Sequence, residues 1–203
     1  MTSGYAPAVP RTSKGSATRD RVLAVARRAL ADEGAEGFVL RSVAESAGLA
    51  LGNLQYYFPT RAALVEAVVL AESDEDLRAV DDAVAGGPGD ATDALGAMAA
   101  ALLDRWHGDA HRIYVSAGAM AMTEPSLAAV LDDVWRRFHD AVADVVRAID
   151  PAAPDDEVRV RSLAVTALLD GSSLQRPASL GVDAQAFRSR IEREVVRISR
   201  GDA

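Results

Sequence analysis

The sequence predicts an all-α protein of roughly nine helices. Apolar residues recur at steps of three and four along most of the 203 residues, and no segment alternates with period two for long enough to make a strand. Gly and Pro fall mainly between these periodic stretches. The clearest stripe is Leu127, Leu131, Val134, Phe138, Val142, Val145 and Ile149, which marks one face of a helix over 125–149.

Taken in order, residues 1–17 are rich in Pro, Gly, Ser, Thr and Ala and are expected to be a disordered arm. Thr18 can cap a first helix that carries Val22, Val25, Ala26, Ala29 and Leu30 and stops at Gly34. A short helix over Leu40–Ala47 is followed by Gly48 and by a second short helix ending at Phe58-Pro59. Thr60 can cap a long helix from Arg61 to about Val84, which Gly86-Gly87-Pro88-Gly89 terminates. Further helices are expected over 91–106, 110–122, 125–149, 155–175 and 183–200, the last with the stripe Phe187, Ile191, Val195 and Ile198. Asp150 to Pro154, Pro177 and Gly181 separate the final three.

Composition narrows the function. Hydrophobic residues make up 49% of the chain, enough for a real core. The absence of cysteine excludes disulfides, thiolate metal sites and cysteine nucleophiles. No apolar run reaches the roughly 20 residues that cross a bilayer, and the N-terminus lacks the apolar core of a secretory signal. A cytoplasmic protein without membrane partners is expected. The net charge of −8 is unevenly spread: residues 1–64 carry +3, leaving −11 on the remaining 139. A basic end on an acidic body suits a nucleic-acid-binding head.

The region from Leu40 to Phe58 supplies the motif. Ala44 lies four residues before Gly48, which suits the small crossing residue and sharp turn of a helix-turn-helix. Val43, Ala47, Leu49, Leu54 and Phe58 form a possible inward set. The second helix then presents Leu51, Gly52, Asn53, Gln55, Tyr56 and Tyr57. Asn and Gln can pair bidentately with adenine in the major groove, and tyrosine hydroxyls donate to phosphates. On short motifs of this kind alone, an ordinary helical hairpin with packed tyrosines competes.

The flanking residues carry a more specific pattern. The first helix ends Asp32-Glu33-Gly34; Val43-Ala44-Glu45-Ser46-Ala47-Gly48-Leu49 follows, and then Gly52-Asn53-Leu54-Gln55-Tyr56-Tyr57-Phe58-Pro59-Thr60-Arg61-Ala62-Ala63-Leu64. Over about Thr18–Leu64 the chain resembles the tetracycline-repressor (TetR) family of bacterial regulators. Leu169-Asp170-Gly171-Ser172-Ser173-Leu174 is similar to a segment in the effector domain of many members. The resemblance implies a DNA-binding domain over 18–64 and an effector-binding and dimerisation domain over 65–203. Its implied function is a transcriptional repressor released from a pseudo-palindromic double-stranded DNA operator by a small, mainly apolar ligand, with no cofactor or metal.

By resemblance and chemistry, Arg41, Ser42, Leu51, Gly52, Asn53, Gln55, Tyr56, Tyr57, Thr60 and Arg61 form the expected DNA surface. Arg41, Tyr57, Thr60 and Arg61 are assigned to phosphates, and Asn53, Gln55 and Tyr56 to bases. Arg11 and Lys14 are candidates for a minor-groove arm. Three positions depart from the family pattern: Ala50 replaces a capping Ser or Thr, Leu51 a polar or basic residue, and Gln55 a common aromatic. Met98, Trp106, Tyr114, Met120, Met122, Trp135 and Phe138 are the expected ligand lining, against the alternative that they simply pack as core. Leu168, Phe187, Ile191 and Val195 are the expected homodimer interface.

Enzymatic readings find little support. His107 and His111 are separated by Gly108-Asp109, which interrupts the helical spacing a shared metal needs. Asp132-Asp133 and Asp155-Asp156-Glu157 suit solvation and helix starts better than acid–base chemistry. No phosphate-loop, dinucleotide or serine-elbow motif occurs.

Overall fold

The computed structural model describes residues 13–86 and 90–201. Among the described residues there are nine α-helices, one 3₁₀ turn at Pro177–Leu180 and no strand. The helices are α1 (Ser13–Gly37), α2 (Leu40–Ser46), α3 (Leu51–Tyr57), α4 (Arg61–Gly86), α5 (Ala91–Trp106), α6 (Asp109–Ala121), α7 (Pro125–Ile149), α8 (Asp155–Ser173) and α9 (Ala184–Arg200).

Local chemistry accounts for the boundaries. The Thr60 hydroxyl accepts from Ala63 N–H at 3.0 Å and starts α4. Asp90 accepts from the N–H groups of Thr92 and Asp93 and starts α5, and Asp183 does the same for α9 through Ala186. Pro125 opens α7, where a missing N–H is harmless, and three acids occupy the first turn of α8. Two boundaries differ from expectation. The first helix begins at Ser13, so residues 13–17 are helical rather than part of a disordered arm; residues 1–12 lie outside the described residues. It also breaks at Gly34, as expected, where the backbone leaves the helical region (φ 69°, ψ −170°), but resumes as far as Gly37 instead of stopping there.

The expected stripe of α7 is buried from Leu127 to Val145, with Ile149 half-buried. It contributes to two apolar clusters. One joins Val22, Leu30 and Phe38 of the N-terminal helices to Leu64, Val68, Ile113 and Leu127. The other holds Leu95, Met98, Leu102, Phe138, Val142, Leu169 and Val195. The first cluster spans the expected 64/65 boundary, which falls inside α4. Head and body therefore share one core, and α4 runs through both.

Candidate nucleic-acid interface

The turn between α2 and α3 is set by Gly48 at φ 69°, with Gly48 N–H donating to Glu45 O at 3.0 Å and Leu49 N–H to Ala44 O at 2.9 Å. Val43, Ala44, Ala47, Leu54 and Phe58 are buried, and Arg19 of α1 lies over the Phe58 ring at 5.5 Å. Burying this face turns the opposite face of α3 outward. Gly52, Asn53, Gln55 and Tyr56 are exposed, Tyr56 at 65%, while Leu51 and Tyr57 are half-buried. The two tyrosine rings meet edge to face at 5.3 Å. Arg41 and Ser42 of α2 and Thr60 are also exposed. No side chain caps α3, as Ala50 implies.

Arg61 requires a correction. Its guanidinium donates to Phe38 O at 2.9 Å and also to Ala35 O, and the side chain is partly buried. Those carbonyls close the end of α1, where helical C=O groups lack partners. Arg61 is thus a tie between α1 and α4 rather than a free phosphate ligand. Arg11 and the Lys14 side chain lie outside the described residues.

Below the head, α4 carries an unusual polar cluster. Glu72, Ser73 and Asp76 are at most 2% exposed. Arg27 of α1 forks onto Glu72, with one contact at 3.1 Å. Arg105 of α5 reaches Glu72 at 3.2 Å and Asp76 at 2.6 Å. The Tyr114 hydroxyl of α6 donates to the other Asp76 oxygen at 2.7 Å. Burial holds the Asp76 carboxyl above its ordinary pKa despite Arg105 and Tyr114, and burial with Asp76 nearby pushes the Tyr114 hydroxyl up. Four helices are pinned to one another here. In the sequence Glu72 and Asp76 belong to the acidic run Glu72-Ser73-Asp74-Glu75-Asp76, which reads as a solvated helix face and gives no sign of these partners.

The expected ligand set divides. Met98, Trp106, Tyr114, Met120 and Phe138 are buried, and Trp135 is half-buried. Trp106, Trp135, Tyr114 and Phe138 pack ring on ring, with centroids 5.4–6.3 Å apart. Met122 is 87% exposed at the end of α6 and lines nothing internal. A separate cleft lies between α4, α5 and α7, and none of these residues lines it.

The expected dimer residues need a second correction. Ile191 and Val195 are buried within the protomer's own core, because the stripe of α9 faces α5 and α8. Leu168 and Phe187 pack partly against the same core. An exposed apolar face lies instead along α8 and its C-cap, where Val160, Leu163 and the capping Leu174 are 57–63% exposed. His111 Nδ1 lies 2.6 Å from Ser173 Oγ, and burial lowers the His111 pKa; among the described residues no group of acids and histidines could hold a metal. No helix is long and apolar enough to cross a membrane among the described residues.

A turn-linked helix pair with an outward amide-rich face, mounted on a helical body, defines a helix-turn-helix DNA-binding protein. Comparison with known proteins makes this specific. The profile of bacterial regulatory proteins of the tetR family matches residues 22–68, and that of the BetI-type transcriptional repressor C-terminal domain matches residues 91–200. The chain belongs to the TetR family of bacterial transcriptional regulators.

Solved structures share the fold. A protein from Rhodococcus sp. assigned to this family is 24% identical, with TM-score 0.72, over 91% of this chain and 99% of that one. A TetR-family transcriptional regulator from Streptomyces coelicolor is 20% identical, with TM-score 0.74, over 92% and 96%. GusR from Salmonella enterica is 16% identical, with TM-score 0.74, over 91% and 96%. No curated protein matches the chain in sequence. Members of the family are non-enzymatic DNA-binding regulators, typically ligand-responsive homodimers.

Proposed function

We propose that this regulator is a cytoplasmic repressor that binds a pseudo-palindromic operator as a homodimer and is released by a small, mainly apolar ligand. The observation that carries this reading is the outward face of α3, where Asn53, Gln55 and Tyr56 are exposed on a buried apolar frame. Amides in that position read adenine edges, and the exposed Arg41, Ser42 and Thr60 flank them as phosphate contacts. Half-buried Tyr57 and Leu51 border this surface, Leu51 being suited to a thymine methyl.

One recognition helix covers few base pairs, so two heads spaced about 34–36 Å apart, or a multiple, are required for useful affinity. The exposed Val160, Leu163 and Leu174 face of α8 supports self-association there. Release by a ligand is supported by the continuity of α4 between head and body. A tilt of α4 moves the head, and a coupling of about 1–3 kcal/mol changes DNA affinity roughly 5- to 150-fold.

The test is titration of fluorescent DNA from upstream of the protein's own gene against random DNA, at several salt concentrations. The reading expects specific binding with a two-fold-symmetric footprint. Equal affinity for both DNAs at every salt concentration refutes it.

A further inference from the structure

The cleft between α4, α5 and α7 has a volume of about 380 Å³, within the range of small-molecule sites. Its apolar lining comes from Val80 and Val84 of α4, Ala91 and Ala94 of α5, and Ala141 and Val145 of α7. Val80, Ala94 and Val145 are at most 7% exposed and form the floor, whereas Val84 is 55% exposed at the mouth. Every charged residue that lines the cleft is an aspartate: Asp81, Asp90 and Asp144.

The three carboxylates differ in what else they do. Asp90 caps α5, and those backbone hydrogen bonds hold its carboxyl below the usual range, so it stays ionised. Asp144 meets Arg147 at 3.1 Å, a pair exposed to water. Asp81 is exposed and has no ion pair among the described residues. Of the neighbouring cations, Arg147 engages Asp144 and Asp155, while Arg200 donates to Thr92 and lies close enough to Asp90 to favour its charged form, which leaves Asp81 the carboxylate with least compensation. An apolar floor beneath an all-acidic rim complements one kind of molecule: an apolar body ending in a positive charge.

We propose that this cleft binds small amphipathic cations, such as alkylammonium ions, apolar tail inward and charged head among Asp81, Asp90 and Asp144. The inference rests on the ligand-responsive reading above and adds a place and a charge to it. It also supplies the mechanical link. The cleft touches α4 at Val80 to Ala85, roughly 30 Å along the helix from Arg61 at 1.5 Å per residue. Between them, Glu72 and Asp76 pin α4 to α1, α5 and α6. A guest that separates α4 from α7 at one end tilts the head at the other.

Isothermal titration of the full-length protein with octylammonium, octanol and octanoate separates charge from tail. An exposed, screened charge is worth up to about fivefold, so three together are expected to favour the amine over the alcohol by ~10-fold, with the carboxylate weakest. The double variant D81N/D144N is expected to cut that preference to threefold or less while leaving octanol unchanged. V84K places a cation at the exposed mouth with little risk to folding and is expected to weaken the amine most. Equal binding of amine and alcohol, no binding of either, or an amine preference that survives D81N/D144N overturns the proposal. A V84K protein with altered sedimentation, in which neither probe binds the parent, assigns the cleft to a second copy of the chain and also overturns it. Labelled upstream DNA, titrated in parallel, isolates the regulator reading: failure to bind DNA refutes that reading, while calorimetry still decides the cleft.

Discussion

Replacing Arg105 with Met is expected to be among the most damaging single changes to the body. Arg105 is 21% exposed and is the only cation that reaches both Glu72 and Asp76 among the described residues. After the change Glu72 keeps Arg27, but Asp76 keeps only neutral neighbours, the Tyr114 hydroxyl and the Trp106 ring N–H. Removing one partner of a buried ion pair costs about 3–5 kcal/mol, and the surviving contacts place this case near the lower end. The pH dependence is diagnostic. Asp76 already has a raised pKa from burial, and losing its cation raises it further. A carboxyl whose folded pKa exceeds its unfolded value of roughly 3.9 favours the folded state most at low pH. That contribution fades as pH rises through the folded pKa. The deficit of R105M relative to the parent should therefore be greatest at neutral pH and shrink at progressively lower pH values, as the Asp76 carboxyl takes up its proton. Urea unfolding followed by circular dichroism at those pH values measures it. A deficit below ~1 kcal/mol, or one independent of pH, refutes the view that Arg105 neutralises two buried carboxylates.

Other expectations follow from the corrected assignments. R61M should lower stability by about 2 kcal/mol, since two carbonyls lose a charged donor, while the salt slope of DNA binding stays unchanged; a slope flatter by one unit with normal stability would restore Arg61 as a phosphate contact. Q55A should relax preference at one base pair by about 1–3 kcal/mol in a competition assay against single-base operator variants, whereas uniform loss on all sequences removes Gln55 as a reader. L163D should yield folded monomers by analytical ultracentrifugation, while I191D, which buries a charge in the protomer core, should unfold the chain; folded monomers from I191D would return the interface to α9.

Much of the exposed α3 surface was legible because its chemistry is local. Gly48 must adopt a positive φ at the turn, Val43, Leu54 and Phe58 face inward by helical periodicity, and Asn53, Gln55 and Tyr56 follow outward by elimination. The stripe of α7 and the caps at Thr60, Asp90 and Asp183 are equally local signals, so the helix positions emerge from spacing alone. The 3₁₀ turn at Pro177–Leu180 is too short to carry a period, and it went unmarked.

Which face meets which neighbour is a different kind of fact. Periodicity identifies an apolar stripe on α9 but not whether it packs inside the protomer or against a partner; only the arrangement of α5, α8 and α9 turned Ile191 and Val195 inward. Arg61 has the charge of a phosphate ligand, yet the end of α1, 23–26 residues earlier, supplies the carbonyls that engage it. Glu72 and Asp76 look like a solvated helix face until Arg27, Arg105 and Tyr114 arrive from three other helices. Hydrogen bonds and ion pairs depend on positions a few ångströms apart in space, and residues far apart along the chain acquire those positions only when the helices pack. Helix type and the outward face of α3 were written in neighbouring residues; the buried ionic cluster, the acidic cleft and the inward face of α9 came into being with the tertiary fold.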